Sequence, residues 1–271
     1  MPGSDVELME TRATPAPETP LAVAPGEVVI QLDHVGVKYR VPTEHIRSFK
    51  EFAIRRLRGQ VGYREFWALH DVSLTVRRGE GLVIVGHNGA GKSTLLKVIA
   101  RVLRPTEGRV WVRGDVAPLL QLGAGFHPEM TGRENVWLNA TLLGHSRREI
   151  EAHFREIVDF AELWDFIDAP LRTYSSGMVA RLGFAVATSW HPDVLLVDEL
   201  LVVGDQSFQQ KCRARIDAFR AAGTTVVLVS HNMSEARALC QQALWLEHGV
   251  VRAAGPVDEI TAAYEQAASA V

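Results

Sequence analysis

The chain has 271 residues, 47% hydrophobic and 23% charged, with a formal net charge of −3. This balance excludes wholesale disorder, and the length supports a sizeable core without disulfides or bound metals. No whole-chain basic field advertises a nucleic-acid partner, and Cys212 and Cys240 form no C-x-x-C pair of the kind that holds zinc.

Residues 1–26 carry five prolines and lack the basic start and apolar core of a secretory signal. They read as a disordered leader on a protein kept in the cytoplasm. No stretch reaches the roughly 18 apolar residues of a spanning helix, which leaves a peripheral place on a membrane open. Short β-rich runs follow at Val28–Gln31 and Val35–Tyr39, and residues 41–65 interrupt the pattern before Ala68–Val76 resumes it. Gly81–Gly86 is all apolar, as expected of a strand buried on both faces, and a glycine-rich turn and the helical stretch KSTLLKVIARVL come after it. Beyond the strand-like runs RVWV and VAPLLQL, the chain turns helical from about Thr131 to His191. Two further buried strands, Val194–Glu199 and Thr224–His231, flank a helix from about Phe208 to Ala221. Strands alternating with helices predict a three-layer α/β core with a parallel sheet.

The run GHNGAGKS, Gly86–Ser93, fits the P-loop pattern G-x-x-x-x-G-K-[ST] in the strand-to-helix context that its mechanism requires. Gly86, Gly89 and Gly91 let the backbone curl until consecutive N–H groups face phosphate oxygens, with His87, Asn88 and Ala90 between them. The helix N-terminus adds partial positive charge; Lys92 would reach the β- and γ-phosphates, and the Ser93 hydroxyl would ligate Mg²⁺. Asp198, ending a buried strand, can hold Mg²⁺ through water, and Glu199 is placed to polarise an attacking water. An acidic pair at a strand end can also cap a helix. Beside a P-loop the catalytic reading carries more weight.

A P-loop alone does not select a reaction. From Val28 to about Glu265, however, the chain resembles the nucleotide-binding subunit of ATP-binding-cassette (ABC) transporters. GHNGAGKST, Gly86–Thr94, matches the cassette P-loop. YSSGM, Tyr174–Met178, resembles the LSGGQ signature, keeping Ser175 and Gly177 while Tyr174, Ser176 and Met178 depart. Asp198 lies 23 residues beyond Ser175, Asp205 stands at the D-loop position six beyond Glu199, and His231 at the switch position 32 beyond Glu199. Gln121 occupies the Q-loop position, at a shorter interval from Lys92 than in many cassettes. The resemblance implies a P-loop NTPase fold, an ABC nucleotide-binding domain with a RecA-like core, an antiparallel β subdomain and a helical subdomain at about 125–191. It also implies a head-to-tail homodimer with each ATP between one P-loop and the partner's signature. Ser175 and Gly177 would then contact the γ-phosphate, Gln121 and His231 would sense it, and Gln121 would join Ser93 and Asp198 around Mg²⁺. Asp205 would serve the same interface. Tyr39 matches the adenine-stacking aromatic, with Trp67 as a rival nearer the P-loop.

Within the insertion, Ile46, Phe49, Ala53, Ile54 and Leu57 recur on one helical face, with Arg47, Lys50, Arg55, Arg56 and Arg58 around much of the rest. Such a helix fits a membrane surface, a membrane partner, or packing on its own domain. The insertion, REFWALHDVSL, QLGAGFHPEMTGREN, YSSGM and VVGDQSFQQKC together resemble the ATPases of bacterial polysaccharide exporters, the O-antigen and teichoic-acid family. That resemblance implies a gate helix, two copies of a separately encoded ABC-2-type permease, and a lipid-linked polysaccharide passing through the complex at the cytoplasmic face. Only TAAYEQAASAV follows Ile260, too little for an appended glycan-binding β-sandwich. Five lysines against 24 arginines hint at a GC-rich genome and a galactan as cargo. A drug or lipid exporter, or a soluble cassette ATPase, stands as the alternative. The soluble class usually carries two fused cassettes or a long coiled-coil insert.

Overall fold

The computed structural model describes residues 26–42, 63–120, 122–198 and 204–269. All of the expected leader but Gly26, the insertion helix, Gln121 and Glu199 lie outside the described residues.

Strand β1 (Val28–Pro42) pairs antiparallel with β2 (Tyr63–Arg77) and with β4 (Glu107–Val112), forming a sheet of order β2-β1-β4. The sequence suggests two short runs here and an interruption from residue 41. Instead β1 continues for 15 residues, and its end is paired, Val41 opposite Arg64 and Pro42 opposite Tyr63. Register shifts on either side of Val35, beside His34 at φ 48°, explain the imperfect alternation, because a bulge resets which face each side chain takes.

The second sheet has six strands in the order β5-β6-β7-β3-β8-β9. They are β5 (Val116–Leu119), β6 (Val194–Asp198), β7 (Thr225–Val229), β3 (Gly81–Val85), β8 (Gln242–Glu247) and β9 (Val250–Pro256). Every pair is parallel except β8–β9, so the expected parallel core holds with one antiparallel edge. All five residues of β3 are buried, which is why it reads as a continuous apolar run. Leu82 and Ile84 pack with Leu95, Leu96 and the antiparallel sheet; Val83 and Val85 pack on the opposite face with Phe208, Ile216 and Val257.

Helix α1 (Lys92–Ile99) covers the first face. Helices α5 (Gln206–Ala221), α6 (Met233–Leu239) and α7 (Val257–Ser269) cover the second. Helices α2 (Gly132–Leu142), α3 (Arg147–Ala161) and α4 (Ser176–Ala187) close a third core around Val136, Ile150, Ile157 and Leu182, the expected helical subdomain. Capping boxes start α2 at Thr131 with Glu134 and α3 at Ser146 with Glu149, satisfying amides that would otherwise lack partners. Among the described residues no helix is long and apolar enough to cross a membrane.

Candidate functional site

The P-loop leaves the buried end of β3 and feeds α1 directly. Gly91, the residue before α1, has φ 104°, and a Cβ there would lie 2.5 Å from the Ala68 carbonyl oxygen, so glycine is required both by conformation and by space. Lys92 is buried, and its ammonium donates to the carbonyls of Gly86 and His87 at 2.8 and 3.0 Å. The lysine thus folds back over the loop that it serves and holds the curled backbone. The exposed Ser93 hydroxyl donates to Asp198 Oδ2 at 3.1 Å. Two oxygen groups, one neutral and one anionic, meet at the helix N-terminus, a donor set that suits Mg²⁺. Asp198 is brought there by the strand order: β6 lies beside β7, with Asp198 opposite Val229. The same pairing carries His231 to this end of the sheet, two residues beyond β7.

A cleft of about 450 Å³ is lined by Tyr39, Phe66, Trp67, Asn88, Gly89, Gly91, Lys92, Ser93, Thr94 and His248, among others. Tyr39 and Trp67 therefore both reach it, on adjacent paired strands. The Tyr39 and Phe66 rings lie 5.7 Å apart. Trp67 is otherwise engaged: Lys38 Nζ stands 4.6 Å from its ring centroid, and His70 meets it edge-on at 5.3 Å. His248 and Phe66 were not evident from sequence. His248 sits in the β8–β9 turn at φ 49°, its ring 4.6 Å from that of His87. The only local signal is the turn-like dipeptide His248-Gly249.

The signature is not part of this cleft. Ser175 and Ser176 are exposed at the start of α4, and the Ser175 hydroxyl accepts from the Met178 amide at 3.2 Å. Asp205 also lies away from the cleft lining. It caps α5, accepting from the Phe208 amide at 2.9 Å and the Ser207 hydroxyl at 2.7 Å, and pairs with Arg181 of α4 at 2.6 Å. The Phe208 amide, then the Ser207 hydroxyl, hold the Asp205 carboxyl below the ordinary carboxylate value. The one chain brings together the P-loop, Asp198 and Tyr39, and leaves its signature facing elsewhere.

Comparison with known proteins agrees with this architecture. The ABC transporter family model matches residues 69–202. The O-antigen export system ATP-binding protein RfbB of Klebsiella pneumoniae is 46% identical over 246 residues, 88% of this chain and 98% of that protein. The teichoic acids export ATP-binding protein TagH of Shouchella clausii is 40% identical over 234 residues, 86% of this chain and 64% of that one. Among solved structures, the ATP-binding cassette MJ0796, a dimer in a post-hydrolysis state bound to ADP and Pi, superimposes with a TM-score of 0.65 at 24% identity, covering 84% of this chain and 98% of that one.

Proposed function

We infer the function from the family: the chain belongs to the ATP-binding subunits of ABC transporters and is related to those of polysaccharide and teichoic-acid exporters. We propose that it hydrolyses ATP at a head-to-tail homodimer interface to drive export of a lipid-linked polysaccharide, beneath two copies of a separately encoded ABC-2-type permease at the cytoplasmic face of the membrane. The observation that carries the ATPase reading is the Ser93–Asp198 pair beside the Lys92-braced loop.

In this reading the amides of Gly86–Gly91 and the α1 N-terminus cradle the phosphates, and Lys92 exchanges its loop carbonyls for phosphate oxygens. Ser93, Asp198 and Gln121 would hold Mg²⁺, which when bound would neutralise phosphate charge. Tyr39 stacks on the adenine. Glu199 orients the attacking water, while His231 and Gln121 read the γ-phosphate. Ser175 and Gly177 come from the partner subunit, which the exposed signature of a single chain supports. Asp205 sits at the same dimer interface. Because such catalysis is positioning plus charge stabilisation, an isolated chain should turn over slowly.

The cargo rests on the relatives' names and on the basic insertion. The test is ATP turnover after reconstitution with a candidate ABC-2-type permease, with and without undecaprenyl- or decaprenyl-linked glycan. Stimulation by glycan, lost in Glu199→Gln, is the expected result. Turnover indifferent to every lipid-linked glycan would remove the polysaccharide reading and leave a drug or lipid exporter. We further propose that the basic residues of the insertion draw the phosphates of the lipid or of its linkage to the glycan: charge reversal of Arg55 and Arg56 should impair export, and unimpaired export would remove that role.

A further inference from the structure

The run Phe126–Asn135 contributes nothing to the cleft, yet it contains a fully buried polar side chain, Asn135. An unpartnered amide there would cost stability. The Asn135 carboxamide is instead saturated by one loop. It accepts from the His127 amide at 2.6 Å and donates to the carbonyls of His127, Met130 and Thr131 at 3.0, 3.1 and 2.9 Å. That loop is laced to the segment leading into the signature. The Leu171 amide donates to the Met130 carbonyl and the Arg172 amide to the Pro128 carbonyl, both at 2.9 Å. In return the Gly132 and Arg133 amides donate to the carbonyls of Ala169 and Ile167 at 3.2 and 2.8 Å.

Tyr174, the first signature residue, closes this lacing. Its hydroxyl donates to the Phe166 carbonyl at 2.6 Å. Burial pushes the phenol above its ordinary value, so it remains a protonated donor at any physiological pH. The hydroxyl fits because residue 132 is glycine: a Cβ on Gly132 would sit 2.3 Å from it. A leucine, which the commoner signature carries here, could make no such bond.

We propose that Tyr174 is a positioning residue: through the Phe166 carbonyl it seats Ser175–Gly177 on the Asn135-organised loop, and so sets the signature for the nucleotide held by the partner subunit. The inference rests on the head-to-tail reading above. It predicts an effect on dimerisation and none on the chain's own P-loop.

The experiment uses the full chain in the Glu199→Gln background with MgATP. Dimer formation is read by size-exclusion or ultracentrifugation, and nucleotide binding to the dilute monomer by a fluorescent ATP analogue. Tyr174→Phe keeps the ring and removes only the hydroxyl. The dimer dissociation constant should rise about 2- to 10-fold, the weight of one net hydrogen bond, while monomer affinity for the analogue stays as it was. Gly132→Ala, which drives a methyl group onto the hydroxyl, should exceed that loss, and adding Tyr174→Phe to it should bring the constant back toward the level of Tyr174→Phe alone. An unchanged dimer constant in Tyr174→Phe overturns the inference, as does an equal loss of monomer nucleotide binding. A Glu199→Gln chain that never dimerises with ATP overturns the head-to-tail reading itself, a different and distinguishable failure.

Discussion

Ser93 Oγ lies 3.1 Å from Asp198 Oδ2 and donates to it, although 105 positions separate the two in the chain. The hydroxyl is presented by the first turn of α1 and the carboxylate by the end of β6. Both lie at one end of the sheet, so a cation bound there would see both. Asp198→Asn keeps the size and removes the charge, and it should lower turnover by about 10²- to 10³-fold, as loss of one preorganised electrostatic group does. Calorimetry should show the Mg²⁺ dependence of ATP affinity reduced in Ser93→Ala. An undiminished Mg²⁺ dependence in both variants would place the cation elsewhere.

Two aromatics, Tyr39 and Trp67, line the P-loop cleft, and their surroundings differ. Trp67 already packs against Lys38 and His70, whereas the ring contact of Tyr39 is with the exposed Phe66. Tyr39→Ala should weaken ATP binding by about 1–3 kcal/mol, the usual worth of base stacking on an aromatic ring. Trp67→Ala should act more on thermal stability than on affinity. The reverse order in a binding titration would make Trp67 the stacking residue.

Arg181 joins the helical subdomain to the start of α5. One guanidinium meets Asp205 at 2.6 Å and Glu162 at 3.1 Å, and lies 4.9 Å from the centroid of the buried Phe208 ring. Lys211 pairs with the same Glu162. The cation–π part of this arrangement is worth about 0.5–1 kcal/mol. Arg181→Met should lower the unfolding free energy, read from the shift in urea midpoint, by at least that contribution, and Arg181→Lys should recover only part of it, because a lysine offers no planar fork. Midpoints equal to the unsubstituted chain in both variants would show the link to be idle.

Cys212 and Cys240 are buried, and burial pushes both thiols from an ordinary 9.0 up to about 12. In the unfolded chain they ionise near 9, so the unfolded state loses protons first as pH rises. The stability that they contribute is whole below about pH 9 and is lost between there and about pH 12. Iodoacetamide at pH 8 should label neither thiol until urea unfolds the chain. Replacing both with alanine should flatten the fall in urea midpoint between pH 8 and pH 10. Rapid labelling of the folded chain would contradict the burial of these thiols.

The parts of this molecule that a local pattern can specify were readable from the chain itself. Gly86–Ser93 announces a phosphate loop because strand, turn and helix chemistry all fall within a few positions. The buried strands Gly81–Val85, Val194–Asp198 and Thr225–Val229 announce themselves because a strand covered on both faces must be apolar throughout. Edge elements were less legible. In β9 half-exposed residues alternate with exposed ones, and its Ala253, Ala254 and Gly255 carry little β-preference of their own. Its strand character comes from pairing with β8. The unbroken β1 was likewise hidden, because bulges spoil the alternation that would reveal it. Contacts between distant positions were legible only in part: the motif order suggested Ser93 and Asp198 as partners, while their approach depends on the strand order β6-β7-β3, which is not the order of the chain. The place of His248 in the cleft, the seating of Tyr174 on the Phe166 carbonyl and the capture of Asp205 by Arg181 depended on tertiary structure alone. Periodicity encodes which face of an element is buried, and only packing decides which other element meets that face.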